Sequence, residues 1–269
     1  MIDKIIEDLR KKLNIKITKK ELIFYSEGTT NSIVFNINNK YIVKTVDEIT
    51  MKTQLEFLTY YKEVESFQKI ICYNQELKYI CFSYLEGINF VKSNDINVNS
   101  IVKQLYNIVN SYREYNSNKY GYLFEETNTW KEFLLSEINY SKEMLKDIKM
   151  STDKLDRIIN SFDKYKVKGY LIHGDFGTHN FLINKDKIQV IDPMPVIGDN
   201  LYDFYFSILS NSKIFENIKL NQILELFERD NTYKKELFYI VLFIRLARAY
   251  KYDKLNFEKY INLYNNFEV

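Results

Sequence analysis

The chain has 269 residues, 46% hydrophobic and 28% charged, which is enough apolar surface for a packed core and excludes a disordered chain. A net charge of +2 without a basic block argues against nucleic acid as a partner, and an apolar run no longer than Leu237 to Ile244 is too short to span a membrane. Two cysteines, Cys72 and Cys81, and a first segment that mixes acids and bases with its apolar positions point to free thiols in a cytoplasmic protein.

Ile2, Ile5, Ile6, Leu9 and Leu13 recur at helical spacing and predict an amphipathic helix over 2–13. Strands are predicted over 22–26, 33–37 and 41–45. Between the first two lies Glu27-Gly28-Thr29-Thr30-Asn31-Ser32. A strand, a loop of small residues and a strand can lay backbone N–H groups over phosphates, with Gly28 and Thr29 as the candidates; a plain hairpin turn needs a glycine equally well. Lys44 stands within the apolar strand Tyr41-Ile42-Val43-Lys44, a desolvated charge that requires a partner. The helix predicted over 49–61 offers Glu56, set among apolar neighbours, while Glu48, Glu63 and Glu65 lie at its edges. A hairpin over 69–84 follows and runs into Phe82-Ser83-Tyr84-Leu85-Glu86-Gly87.

From Asn97 onward helical periodicity takes over, over 98–115, 129–149, 152–166, 213–228, 231–250 and 255–265. Trp130, the single tryptophan, reads as core. The change near Gly87 predicts two domains: residues 1–86, mostly antiparallel sheet with one long helix, and residues 87–269, mostly helical.

The exception in the second half is LIHGDFGTHNFLINKDKIQVIDPMPVIGDNLYDF, residues 171–204. His173-Gly174-Asp175 and Asn180 occupy one tight loop. Leu182 and Ile183 form a strand, Lys185 and Asp186 a turn, and Ile188 to Ile191 the returning strand that Asp192 ends. Such a hairpin returns Asp192 towards Asp175 and Asn180. Two oxygen ligands, Asn180 and Asp192, suit a Mg²⁺ that keeps its waters and rides on substrate phosphates. Asp175 is left as the group that accepts a proton from an attacking hydroxyl, the division of labour of a kinase-type phosphoryl-transfer site. His179 reads as a packing or solvent-side residue, and two histidines without partnered cysteines make no zinc site.

HGDFGTHN and VIDP resemble the catalytic loop and metal-binding segment of the aminoglycoside phosphotransferase family, whose relatives include choline and fructosamine kinases. Gly174 stands where protein kinases have Arg, and Asp192-Pro193-Met194 replaces D-F-G. The resemblance covers about Leu22 to Phe204. It implies an α+β, protein-kinase-like two-lobed fold with an antiparallel-sheet N-terminal lobe and a mostly helical C-terminal lobe. It also implies ATP, with GTP as the alternative, and Mg²⁺. Lys44 would grip the α/β-phosphates and pair with Glu56. Ser83 and Leu85 would offer backbone groups to adenine, with Phe82 behind the base. His173 would prop the loop and Asp203 brace it through backbone N–H bonds. The implied activity is transfer of the γ-phosphoryl group to a hydroxyl of an aminoglycoside or related antibiotic, by a monomer or weak homodimer. A metabolic or spore-associated kinase with another acceptor, or a non-catalytic relative, are the alternatives. Glu216, Glu225, Glu228 and Asp230 have the charge for a polycationic sugar but read as a solvated helix face.

Overall fold

The computed structural model describes residues 1–25, 32–93 and 97–268. In chain order the first half forms α1 (Ile2–Leu13), β1 (Leu22–Tyr25), β2 (Val34–Ile37), β3 (Tyr41–Thr45), α2 (Glu48–Tyr60), β4 (Ile70–Asn74), β5 (Tyr79–Ser83), β6 (Ile88–Asn89), α3 (Val98–Asn110), β7 (Tyr120–Tyr122) and β8 (Glu125–Thr127). The second half forms α4 (Trp130–Met144), α5 (Asp153–Asn160), β9 (Tyr170–Ile172), β10 (Phe181–Asn184), β11 (Lys187–Val190), β12 (Val196–Gly198), α6 (Asn200–Ile208), α7 (Ser212–Phe215), α8 (Leu220–Glu225), α9 (Asn231–Tyr252) and α10 (Phe257–Asn266). The chain divides into two compact units, 1–92 with 180–194, and 93–179 with 195–269. The division is therefore interleaved, where the sequence predicted a single cut after Glu86.

The first unit is built on an antiparallel sheet in the order β1-β2-β3-β5-β4. Side chains alternate across a sheet, so each strand serves two faces. Phe35, Ile37, Val43, Tyr79 and Cys81 form a core with Ile5, Ile6 and Leu9 of α1. The residues between them, Ile42, Lys44, Ile80 and Phe82, take the opposite face, with Lys44 opposite Ile80 and Ile42 opposite Phe82. α2 is capped by Asp47, whose side chain accepts from Thr50 N–H, and buries Met51, Phe57 and Leu58. Phe57, Tyr61 and Phe67 pack ring on ring below it, with centroids 4.8–5.6 Å apart.

The hairpin β10–β11 belongs to this unit. Its two-residue turn, Lys185 and Asp186, has both residues at positive φ, the geometry that matches the twist of paired strands. β10 pairs with β6 through Leu182 opposite Asn89 and Ile183 opposite Ile88. On the other side Val190 N–H donates to the Ser66 carbonyl at 2.7 Å.

The second unit is helical, as the periodicity predicts, around a largely buried α9 that packs against α4, α6 and α10. It also holds a small sheet in the order β8-β7-β12-β9 that the sequence reading did not expect. Its four strands have three residues each, too short for a period of two to show. The helices are shorter than predicted: α3 stops at Asn110, α5 at Asn160, and the predicted helix over 213–228 is two short pieces, α7 and α8.

Leu9 is fully buried between α1 and the sheet. Leu9→Ala should therefore cost about 2–5 kcal/mol in chemical denaturation, the cost of a cavity at a leucine site. A loss below about 1 kcal/mol would mean that α1 is not part of the core.

Candidate active site

In the first unit the charge on β3 finds its partner on the hairpin. The Lys44 ammonium, 15% exposed, forms an ion pair with Asp192 Oδ1. Asp192 follows β11 at the mouth of the hairpin and is 42% exposed. Its φ is +63°, a left-handed conformation that few residues other than Gly, Asn and Asp adopt. Across the mouth Asn180 is 6% exposed, and its carbonyl accepts from Ile191 N–H at 3.0 Å.

The side chain of α2 that meets this pair is Gln54. Its Nε2 donates to Asp192 Oδ1 at 3.1 Å and to the Pro193 carbonyl at 3.3 Å. Glu56, the partner expected for Lys44, lies two positions along the helix, about 200° round it and half-buried. The Lys44 ion pair thus falls to Asp192, and the helix contributes a neutral amide. The signal for Gln54 was present in the sequence: it interrupts the apolar stripe of Met51, Phe57, Leu58 and Tyr61 at helical spacing, where a buried polar side chain needs a reason.

Phe82 shares its sheet face with Lys44 and is buried. The Ser83 backbone is already engaged: its N–H donates to the Lys69 carbonyl at 2.9 Å and its carbonyl accepts from Gln68 Nε2 at 3.1 Å. An adenine amine would share that oxygen and use its second lone pair. Leu85 is half-buried, and Gly28 and Thr29 lie outside the described residues.

In the second unit the loop after β9 is held by one carboxylate. Asp203 of α6 is fully buried and accepts from His173 N–H at 2.7 Å, Gly174 N–H at 3.1 Å and the Tyr112 hydroxyl at 2.9 Å. Thr178 N–H donates to Ser210 Oγ at 2.9 Å, tying the far side of the same loop to the segment after α6. His173 is buried, its ring 5.6 Å from that of Phe176. Asp175 Oδ2 lies 3.0 Å from His179 Nε2. His179 is solvent-side as expected, 51% exposed, and the contact to Asp175 is an addition to that reading. Gly177 permits it, since a Cβ there would fall 2.7 Å from the His179 ring. Burial pushes the Asp175 carboxyl up, but the His179 hydrogen bond and the charges of His179, His173 and Arg248 outweigh it and hold the group below the ordinary carboxylate range.

The sites of the two units have the chemistry expected of their residue types. Asn180 and Asp192 offer two oxygen donors and no sulfur or imidazole, a set that fits Mg²⁺ and not a soft metal. Among the described residues no group of three or more His, Cys, Asp and Glu side chains forms a self-sufficient metal site. None of the described helices is long and apolar enough to cross a membrane.

Compared by sequence, no family model and no curated protein matches the chain. Compared by structure, it is similar to the gentamicin complex of APH(2")-IIa, with 17% identity over 98% of this chain and 96% of that one and a TM-score of 0.60. It is similar to a putative fructosamine-3-kinase from Haemophilus somnus, with 16% identity over 97% and 96% and a TM-score of 0.63. It is also similar to the choline kinase LicA from Streptococcus pneumoniae, with 16% identity over 99% of both chains and a TM-score of 0.59. The chain thus has the α+β fold common to these small-molecule kinases and phosphotransferases.

Burial drives the Asp203 carboxyl up to about 7, against the bonds from Tyr112, His173 and Gly174. The folded chain then holds this proton more tightly than the unfolded chain, whose carboxyl titrates near 3.8. The resulting stabilisation is complete below about pH 4 and is lost as pH rises through 7. Melting temperatures of the wild type and Asp203→Asn should therefore differ in the wild type's favour at acid pH, by an amount that shrinks towards pH 7. A difference that grew with pH across that window would refute the assignment.

Proposed function

We propose that this chain is an ATP-dependent phosphotransferase that moves the γ-phosphoryl group to a hydroxyl of a small molecule. The observation that carries the reading is the ion pair between Lys44 and Asp192, a strand lysine and a hairpin carboxylate 148 residues apart. It occurs in a fold that small-molecule kinases share. Nucleotide-bound relatives of the same fold, an ADP complex of APH(2")-Ib and an AMP-PNP complex of APH(4)-Ia, support ATP as the donor.

Each residue has one task in this reading. Lys44 would hold the α/β-phosphates. Asn180 and Asp192 hold Mg²⁺, which when bound neutralises charge on the phosphates. Gln54 keeps Asp192 in place, whereas the sequence resemblance assigns Glu56 to pair with Lys44. The Ser83 and Leu85 backbone meets the adenine edge. Asp175 accepts the proton of the acceptor hydroxyl as its oxygen bonds to the γ-phosphorus and the bond to the ADP oxygen breaks. Its lowered pKa suits an orienting group that takes the proton late. Asp203 and His173 keep the loop in shape.

For the acceptor, the resemblance favours an aminoglycoside. Gentamicin, streptomycin and hygromycin B stand in the complexes of similar structures. The carboxylates that a polycation would need are engaged elsewhere in part: Glu216 pairs with Lys259, and Asp230 caps α9. A metabolic acceptor, as for the choline and fructosamine kinases, is the second reading, and the arginines described below favour it.

Asp175→Asn should leave Mg-ATP affinity within about twofold and lower the transfer rate by about 10²-fold or more. Calorimetry and a coupled ADP assay over aminoglycosides, choline and amino sugars give the two numbers. Near-normal turnover would refute Asp175 as the proton acceptor, and lost nucleotide binding would make it a metal ligand. In the same calorimetry Lys44→Ala should weaken Mg-ATP by at least about tenfold, the scale of a charge-assisted phosphate contact; unchanged affinity would sink the nucleotide site.

A further inference from the structure

Beside Asp175 the second unit carries positive charge. Arg245 and Arg248 lie three residues apart on α9 and so share a face. Both guanidiniums rest on the ring of Phe206, with Cζ 4.7 and 5.1 Å from its centroid. That ring lies in turn against the loop of Asp175, because a Cβ at Gly177 would stand 3.5 Å from Phe206 Cε1. The charge of Asp175 acts on both arginines.

Their bonds leave donors over. Arg248 Nη2 donates to Glu137 at 2.8 Å, but its Nε is buried with no hydrogen-bond partner among the described residues. Arg245 Nε reaches the Leu209 carbonyl at 3.4 Å, an oxygen that already accepts from the Tyr260 hydroxyl at 2.7 Å. A carbonyl brings no charge, no carboxylate pairs with Arg245 among the described residues, and a guanidinium has five N–H donors to satisfy. The Tyr202 hydroxyl, on a residue 1% exposed, also lacks a partner among the described residues, and the charges of Glu137 and Arg248 act on it. Of the carboxylates here, Glu137 is engaged by Arg248, Asp175 by His179, and Asp203 by Tyr112, His173 and Gly174. An incoming polycation would face two fixed guanidiniums. An incoming carboxylate or phosphate would meet two partly exposed planar guanidiniums, the groups that bind such anions best.

The geometry points to an anion seat beside Asp175: the acceptor is a hydroxyl compound that also bears a carboxylate or a phosphate, held by Arg245 and Arg248 with its hydroxyl towards Asp175. This rests on the phosphotransferase reading and departs from its aminoglycoside form. The two arginines act here as specificity residues, since they choose the acceptor by charge and take no part in the transfer itself.

The test uses the full chain without nucleotide, at fixed ionic strength, with four sugars of one skeleton: glucuronate, glucose 6-phosphate, glucose and glucosamine. Trp130, the single tryptophan, packs edge-on to Tyr202 at 5.6 Å and 84°, so its fluorescence reports occupancy. At least one anionic sugar should bind about tenfold or more tightly than glucose and glucosamine, the lower end for a charge-assisted bond. The stronger of the two identifies carboxylate or phosphate as the group. Arg245→Gln should abolish the preference, Arg245→Lys should retain part of it, and Lys44→Ala should leave it whole. Melting curves establish that each variant is folded; should Arg245→Gln fail, Arg248→Gln replaces it with the same expectation. Glucosamine or gentamicin binding as tightly as the anions, no binding by either anion, or a preference that survives loss of the arginine charge would each overturn the proposal. Mg-ATP titrated in parallel separates the two readings. Lost nucleotide binding with the anion preference intact sinks the phosphotransferase and leaves the seat, and the converse sinks the seat alone.

Discussion

A carboxylate buried without a cation survives only if hydrogen-bond donors replace its water, and the second unit is arranged to supply them at Asp203. Two of its donors are consecutive backbone N–H groups, His173 and Gly174, and the third is the Tyr112 hydroxyl just beyond α3. One side chain on α6 therefore fixes the start of the loop, the end of the preceding helix and the helix that carries it. Leaving such donors unmet costs about 1–3 kcal/mol each. The position of Asp175, two residues along from His173, follows from that constraint together with its contact to His179.

What was legible in the sequence was what has a period or a fixed spacing. The strands of the first sheet, α1, α2, α9 and the β10–β11 hairpin show repeats of two or 3.6 over enough residues to be read. HGD with Asn180, and the lone acid ending an apolar strand, mark the chemistry by order alone. The four short strands of the second unit had no length in which to show alternation. They exist because Val196 pairs with both Ile172 and Tyr122, a tertiary fact. A search for charge to pair with Lys44 leads to Glu56 among the glutamates and passes by the neutral Gln54, whereas the face of the helix decides which side chain meets Asp192. His179 was passed over because its role depends on Gly177 leaving room for the ring to fold back. Arg245 and Arg248 read as the polar residues of a long helix, and only Phe206 between them shows that they converge.

The left-handed backbone at Asp192 makes that residue answer to two demands at once. The hairpin needs a residue tolerant of positive φ, and Lys44 and Gln54 need a carboxylate at that place. Asparagine meets the first demand and half of the second, as an oxygen without charge. A β-branched residue meets neither. The two-residue turn at Lys185 and Asp186 does the same for register, since a slip by one position would move Asn180 away from Ile191, the residue that leads into Asp192.

The membership of residues 180–194 in the first unit has a consequence for how the protein is made. Synthesis runs from the amino terminus, and the first 92 residues, with six strands and two α-helices among the described residues, leave the ribosome before the β10–β11 hairpin is translated. β6 waits with an unpaired edge until β10 arrives, and Ser66 waits for Val190. Pairings of such long sequence separation form late, because closing the loop costs entropy before any contact repays it. The nascent chain thus exposes a strand edge for as long as the intervening residues take to emerge. That interval, more than the stability of the finished sheet, is when this protein is open to mispairing.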